Sequence, residues 1–331
     1  MKTSQMYGLA LVVALSVNAC DDRSGSGAAS DPEFSFEESL QLQLIEAQPG
    51  DTIEIPPGRH EMTRSLSLTV PGVTIRGAGM DSSILSFSGQ LQGAEGLLVT
   101  ADDFVIEDLA IENTIGDALK INESNNVVIR RVRTEWTKGP DPENGAYGIY
   151  PVQSSHILID SSVAIGAADA GIYVGQSSQI IVRNSRAEYN VAGIEIENST
   201  FADVYDNVAT NNTGGILVFD LPNLQVQGGQ GTRVFNNAVY ENNTANFAPE
   251  GAIVGNVPPG TGLLILANDN IEVFENNFRD NNKPEYCKHF YSIQSIRNTW
   301  CVSIGGKSFS NICCIERKCR WYSGQQFSSN Q

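Results

Sequence analysis

The chain has 331 residues, 41% of them hydrophobic, and a formal net charge of −17. That length allows one large domain or a repeat array, and that charge argues against nucleic acid or any other phosphate-rich partner. No internal stretch reaches the roughly 18 to 20 apolar residues of a membrane span. Charge and cysteines are both uneven. Residues 283–331 carry seven Lys/Arg and two Asp/Glu, a net of +5, which leaves residues 1–282 at −22. Cys20 stands alone, whereas Cys287, Cys301, Cys313, Cys314 and Cys319 crowd the last 45 residues.

The first twenty residues place Lys2 before an apolar run from Leu9 to Val17 and end in "VNAC". The run is too short to span a bilayer comfortably and reads as a secretory signal. "VNAC" resembles the lipobox of bacterial lipoproteins, which implies cleavage after residue 19 and acylation of Cys20. Residues 20–34 are polar and Gly/Ser-rich, as a flexible tether would be. The resulting expectation is a lipid-anchored protein on the periplasmic side of a bacterial envelope, attached to the membrane through the lipid alone. Asp21 slightly favours the inner membrane.

"SFEESLQLQLIEA" (35–47) opens with Ser35 and Glu38 at capping-box spacing and sets Phe36, Leu40, Leu44 and Ala47 on one helical face. From there to residue 282 the chain repeats. Gly-hydrophobic starts recur as "GLLV" at 96, "ALKI" at 118, "GIYP" at 148, "GIYV" at 171, "GIEI" at 193, "GILV" at 215 and "GLLI" at 262. The steps are 22, 30, 23, 22, 22 and 47, so two coils carry insertions. A second short strand follows each start, and Asn-rich corners such as Asn236-Asn237 follow that. Strands of four or five residues have period two. Asn and Gly tolerate the unusual corner conformations, and stacked Asn can bond from coil to coil. Twenty-two residues are too few for a propeller blade, and a single coil cannot bury its inner residues alone.

These features predict an all-β solenoid of about 22-residue coils over residues 35–282, with the amphipathic helix as its cap. Ile149, Ile172, Val174, Ile194, Ile196, Ile216, Val218, Leu263 and Ile265 are expected to point inward. Glu195 and Glu197 are expected to point out, on a solvated acidic face. The insertions, near 135–147 and through 221–232 and 244–261, are expected to project as loops, and deleting 246–259 is expected to leave the fold largely intact but to lose any ligand or partner contact.

"AQPGDTIEIPPG", "VTIRGAG" and the Asn-rich coils resemble right-handed parallel β-helix proteins of the pectin-lyase-like superfamily. "GILVFDLP", "NFAPEG" and "GTGLLILANDNIEVFENN" look more narrowly like bacterial β-helix-repeat lipoproteins. The resemblance implies a scaffold shared by polysaccharide lyases, hydrolases, uronate epimerases, phage tailspikes and non-catalytic proteins, so it implies a fold more firmly than an activity.

No motif settles the chemistry. "DPEN" (141–144) lacks the His of the Asp-Pro-His motif of uronan epimerases, and "RGAG" (76–79) reads as a tight turn. The carboxylates show no ligand spacing for Ca²⁺, so no cofactor is expected. His60, His156 and His289 are scattered, which argues against a His-based metal site. The candidate site is a row on the first-strand face: Leu98, Lys120, Tyr150, Tyr173, Glu195, Leu217 and Leu264. Within it Lys120, Tyr150, Tyr173 and Glu195 are expected to bind substrate, the tyrosines forming a platform for sugar rings. If there is chemistry, Lys120 or a tyrosine is the base and Glu195 the acid, although those two stand about three rungs, roughly 14 Å, apart. The expected function is a monomeric polysaccharide-binding protein that in its enzymatic version processes its ligand; the alternative is a non-catalytic scaffold docking a partner envelope protein. The basic, Cys-rich tail from residue 283 has no coil periodicity. It reads either as the product of a shifted reading frame or as a disulfide-bonded cap.

Overall fold

The computed structural model describes residues 34–282 and the backbone of two short strands beyond them, Ile312–Ile315 and Cys319–Tyr322. The expected signal, Cys20, nearly all of the expected tether and most of the tail lie outside the described residues. Among the described residues no helix is long and apolar enough to cross a membrane.

Among the described residues the one α-helix is Phe36–Glu46. Ser35 and Glu38 form the expected capping box, and Leu40 and Leu44 are buried. Glu37 does something the spacing did not indicate. Its carboxylate accepts hydrogen bonds from the backbone N–H of Thr63 and Arg64, at 2.8 and 2.9 Å, and from the Thr63 hydroxyl at 2.8 Å. The helix therefore covers the open end of the core with leucines and satisfies first-coil donors that no earlier strand reaches.

The remaining chain winds into three parallel ladders. The first runs from Arg64–Leu68 through Gln92–Val99, Leu119–Asn122, Tyr147–Val152, Ala170–Gly175, Ala192–Glu197 and Gly214–Phe219 to Thr261–Leu266. The second carries strands such as Ser155–Asp160, Ser178–Arg183 and Thr200–Tyr205, and the third short strands such as Val163–Ile165, Arg186–Glu188 and Val208–Thr210. Register is continuous: Ile172 pairs with Ile149 on one side and Ile194 on the other, and Ile194 with Ile216. All nine residues expected inside are at most 1% exposed. The tail strands pair in parallel with Leu263–Leu266 and Ile271–Phe274.

Corner chemistry holds the coils together. Asn190, Asn212, Asn242 and Asn281 stack, each side-chain amide donating to the carbonyl of the next asparagine at 2.9–3.0 Å. Asn207, Asn237 and Asn276 form a parallel stack. At another corner serines take the same role: the N–H groups of Ser124, Ser154 and Ser177 donate to the hydroxyls of Ser154, Ser177 and Ser199. Other corner positions depart from the Gly/Asn expectation. His156, Gln179 and Phe201 all adopt positive φ, between 53° and 58°, at equivalent places in successive coils. For such residues the left-handed region costs about 1–2 kcal/mol each, which the ladder bonds on either side offset.

Two expectations about the outer surface fail. The segments 221–232 and 244–261 do not project. They fold back onto the outside of the first ladder, where Val254 and Val257 pack with Leu217, Phe219, Leu264 and Leu266 in a second hydrophobic cluster. Val257 lies so close over Gly214 that a Cβ there would meet it at 2.9 Å. The first-ladder strands Ala170–Gly175, Ala192–Glu197, Gly214–Phe219 and Thr261–Leu266 are consequently buried on both faces. Glu195 and Glu197 do point away from the inner core, but they are 3% and 8% exposed rather than solvated. The 135–147 insertion is also anchored, with buried Trp136 donating its indole N–H to the Thr114 carbonyl at 2.8 Å.

Candidate functional site

The outward row has the register expected of it. Lys120 pairs with Leu98 and with Tyr150, Tyr173 with Glu195, Glu195 with Leu217, and Leu217 with Leu264. The Ile149–Ile172 pairing sets Tyr150 beside Tyr173. Exposure changes along it. Leu98, Lys120 and Tyr150 are partly open, whereas Tyr173 is 4% exposed and Leu217 and Leu264 are closed over by the loops.

Tyr150 and Tyr173 do not form the expected two-ring platform. A third ring, Tyr147, joins them, with ring centroids 4.4, 4.5 and 5.0 Å apart in tilted and edge-on contacts. Such contacts suit the quadrupoles of the rings and leave no room for a ligand between them. The Lys120 ammonium lies 5.2 Å from the Tyr150 ring centre and is 3.6 Å from both Glu95 and Asp117. Tyr173 reaches across the strand to donate its hydroxyl to Glu197 at 2.9 Å. Gly175 makes that reach possible, since a Cβ there would fall 2.2 Å from the Tyr173 hydroxyl oxygen.

Carboxyls gather beneath and beside the rings. Burial pushes Glu195 well above the usual carboxylate range, and the nearby Asp169 and Glu197 add to the effect. Glu195 and Glu197 interact side chain to side chain, and Glu195 Oε2 has no partner. Glu197 is also raised by burial, held back by the hydrogen bonds it accepts from Tyr173 and Glu195. Asp169, at the partly open edge, accepts from the Tyr147 hydroxyl at 3.4 Å. Burial and then Glu197 push it up to about 7. Burial pushes Asp117 up to about 6, opposed by Lys120 and reinforced by Glu95.

The tyrosines move the wrong way for bases. Burial raises Tyr150 to about 12 and raises Tyr147 and Tyr173 further, with neighbouring carboxylates adding to it. Tyr147 and Tyr173 donate their hydroxyls to carboxylates, and the upward shift of all three rings runs against the expectation that a tyrosine abstracts a proton. Burial favours the protonated form of Glu195, as an acid needs, but the side chain lies under cover at 3% exposure. Sequence reading missed Tyr147, Asp169 and Asp117 as members of the site. Asp117 sits one residue and Asp169 two residues before a Gly-hydrophobic start, so no shared repeat position marks them in the sequence.

The motifs set aside earlier prove structural. Asp141 and Glu143 of "DPEN" close a turn through an Asp141 side-chain bond to the Glu143 N–H at 2.9 Å. In "RGAG", Gly77 packs so tightly that a Cβ would stand 2.2 Å from the Asp108 carbonyl. Among the described residues no group of three or more His, Cys, Asp or Glu side chains is arranged to hold a metal ion.

Residues 67–230 match the family described as "Right handed beta helix region". The chain is a right-handed parallel β-helix. No curated protein sequence matches this β-helix significantly. Among solved structures it is similar to the A-module of a mannuronan C-5 epimerase from Azotobacter vinelandii, at 16% identity and a TM-score of 0.47, covering 76% of this chain and 75% of that one. The pectate lyase Pel9A is similar at 12% identity and a TM-score of 0.48, covering 72% and 64% of the two chains. An alginate lyase from a Paenibacillus species is similar at 19% identity and a TM-score of 0.40, covering 73% and 94%. At those identities and scores nothing of their chemistry transfers to this β-helix.

Proposed function

We propose that this β-helix binds a polysaccharide along the open end of the Leu98–Lys120–Tyr150 row and processes it by general acid–base catalysis at Asp117 and Asp169. The observation that carries the reading is the pairing of two partly open carboxyls, held at about 6 and about 7, around Tyr147. The backbone N–H of Ala118, next to Asp117, donates to the Tyr147 carbonyl, and Tyr147 pairs with Ala170, next to Asp169. The acids therefore stand about two rungs, roughly 10 Å, apart along the stack before their side chains lean. General acid–base pairs work best with values near the working pH. Near neutrality Asp117, with Lys120 beside it, is mostly the carboxylate and serves as base, while Asp169 retains a proton and serves as acid. A separation of about 6.5–9.5 Å between carboxyls leaves room for a water between them, as inverting glycoside hydrolysis requires. Charge narrows the ligand: Glu95 and Asp117 line the face and residues 1–282 stand at −22, which repels uronates, so a neutral glycan fits better than pectate or alginate. In this reading Cys20 carries the lipid that anchors the domain to the envelope.

The test is to incubate the protein with neutral glucans, xylans and mannans, and with pectate and alginate. New reducing ends from a neutral glycan, with no unsaturated product, are expected. Asp117→Asn and Asp169→Asn should each lower the rate about 10²–10⁴-fold, and the pH–rate profile should be bell-shaped with limbs near about 6 and about 7. Rates unchanged in both variants would remove these carboxyls from the chemistry. Gel retardation without product would leave a binding protein and end the catalytic half of the proposal.

A further inference from the structure

Exposure along the outer row falls in one direction. Leu98, Lys120 and Tyr150 are partly open, Tyr173 and Glu195 are 4% and 3% exposed, and Leu217 is fully covered. The cover is the 244–261 segment, whose Val254 and Val257 close over Leu217, Phe219 and Leu264, with Phe247, Ala248 and Ala252 packed beside them. Asn246 fixes this segment from within, donating to the Val254 and Val257 carbonyls at 3.0 and 2.9 Å. The 221–232 segment closes the adjoining corner. The Gln153 amide donates to the Gln225 side chain at 2.8 Å, and the Val226 N–H to the Gln176 side chain at 3.1 Å. Its Leu221 N–H and carbonyl are both held by Asn198, at 2.7 and 2.8 Å.

The outer face is therefore open over the N-terminal rungs and closed from the Tyr173–Glu195 rung onward. A polymer lying along the ladder and bound through its middle must run on past both ends of the open stretch, and the Val254–Val257 cover blocks one of them. We infer that this open stretch is a groove that takes the end of a glycan chain, not its interior, with the 244–261 segment as the element that sets this preference. The inference rests on the glycan-binding reading and specifies its mode. The terminal unit reaches Tyr147, Tyr150 and Asp169, and the rest of the chain runs back over Lys120 and Leu98 toward the first coils. Tyr173, Glu195 and Glu197 lie behind that unit and hold the rings and Asp169 in place rather than touching it.

The distinction is measurable through chain ends. Hexasaccharides and long polymers of β-1,4-glucan, α-1,4-glucan, β-1,4-xylan and β-1,4-mannan are compared for binding to the full chain at equal mass of sugar. Polymer of the glycan that binds is expected to compete at least roughly tenfold more weakly than its hexasaccharide, because it offers that many fewer ends per gram. At equal concentration of ends the two should match. A second variant replaces residues 247–256 by a short Gly-Ser link, and it should gain binding to the polymer's interior while keeping its binding of the hexasaccharide. Equal competition by mass in the wild type would overturn the end-on mode and leave the glycan-binding reading standing, whether or not the shortened variant folds. Failure of all eight probes to bind would remove the glycan reading itself, and this inference with it.

Discussion

At the level of single residues, the site depends on a glycine that no motif marked. Gly175 clears the space into which the Tyr173 hydroxyl leans to meet Glu197. Gly175→Ala is expected to push the ring off that carboxylate and lower stability by about 1–3 kcal/mol, as overpacking does. Tyr173→Phe, which keeps the ring and loses only the bond, should cost less, about 1 kcal/mol. Denaturant titrations of the two variants check both values. Protons on the acids give a second expectation. The folded protein holds a proton on Asp169 up to about pH 7 and on Asp117 up to about pH 6, while an unfolded aspartate releases its proton near 4. Between those values the folded state binds more protons, so these two groups make stability decline as pH rises from about 4 to about 7, and Glu195 and Glu197, also raised by burial, act in the same direction. Glu107, Asp108 and Asp160 are shifted down by their arginine partners, the last against its own burial. They act in the opposite sense, but their window lies below the usual carboxylate range. Asp169→Asn should flatten the decline between pH 5 and 8 in urea titrations, and an unchanged slope would show that Asp169 titrates normally.

Coils and loops behave differently from one another under mutation. Asn212 accepts from the Asn190 N–H and side chain and donates to Asn242 and the Ala187 carbonyl, all in a buried corner. Asn212→Ala strips partners from several buried polar groups at once, so a loss of about 2–4 kcal/mol is expected from thermal or chemical melts. The corner was legible in the sequence because its chemistry is local and recurs every coil. So were the inner Ile and Val positions, because period-two alternation inside a fixed repeat leaves one register. The loop cover was not legible. An insertion breaks the repeat, and periodicity then says nothing about where the inserted chain docks. "GAIVGNVPP" carries the apolar residues that seal the outer face, yet their partners, Leu217 and Leu264, occupy outward positions that a bare solenoid exposes. The same blindness hid the burial of Glu195 and the part played by Tyr147, the strand residue immediately before the Gly-hydrophobic start at 148. Removing 246–259 therefore uncovers Leu217, Phe219 and Leu264. Each newly exposed apolar side chain forfeits about 1.5–3 kcal/mol of burial, so the shortened chain should melt lower and bind hydrophobic dyes.

The molecule as a whole presents a strong negative field with one partly neutralised groove. Residues 1–282 stand at −22, and Lys120 is the lone cation in the outward row of the first ladder. Other cations are committed elsewhere: Arg76, Arg130 and Arg131 pair with Glu107 and Asp108 across the second ladder, and Arg133 with Glu112 and Glu135 in the third. A long uronate polymer must cross that field to reach the groove. Alginate and pectate are thus expected to bind negligibly at low ionic strength and slightly better as salt screens the repulsion, while a neutral glycan should show almost no salt dependence. Isothermal titration at two ionic strengths separates these cases, and tight low-salt binding of alginate would contradict the charge argument.

The continuous register has one more consequence, for how such a chain tolerates change in length. Each inner aliphatic residue and each corner serine or asparagine meets its counterpart one turn away, 22 or 23 residues along the chain where no insertion intervenes, as for Ile172 and Ile194 or Ser177 and Ser199, so the scaffold counts in turns. Losing one residue from a strand slips everything after it by one and turns the aliphatic stack outward. Excising one whole turn instead, residues 176–197, would bring Asn198 and the Ser199 corner directly after Gly175 and set Ile172 against Ile216. Such a protein would be one storey shorter, with its core seams rejoined and its Glu195–Glu197 pair gone. Genes for chains of this kind can shrink or grow by slippage of a full repeat while every intermediate length still closes on itself, and the loops that wall the groove then move, as a unit, to a different storey.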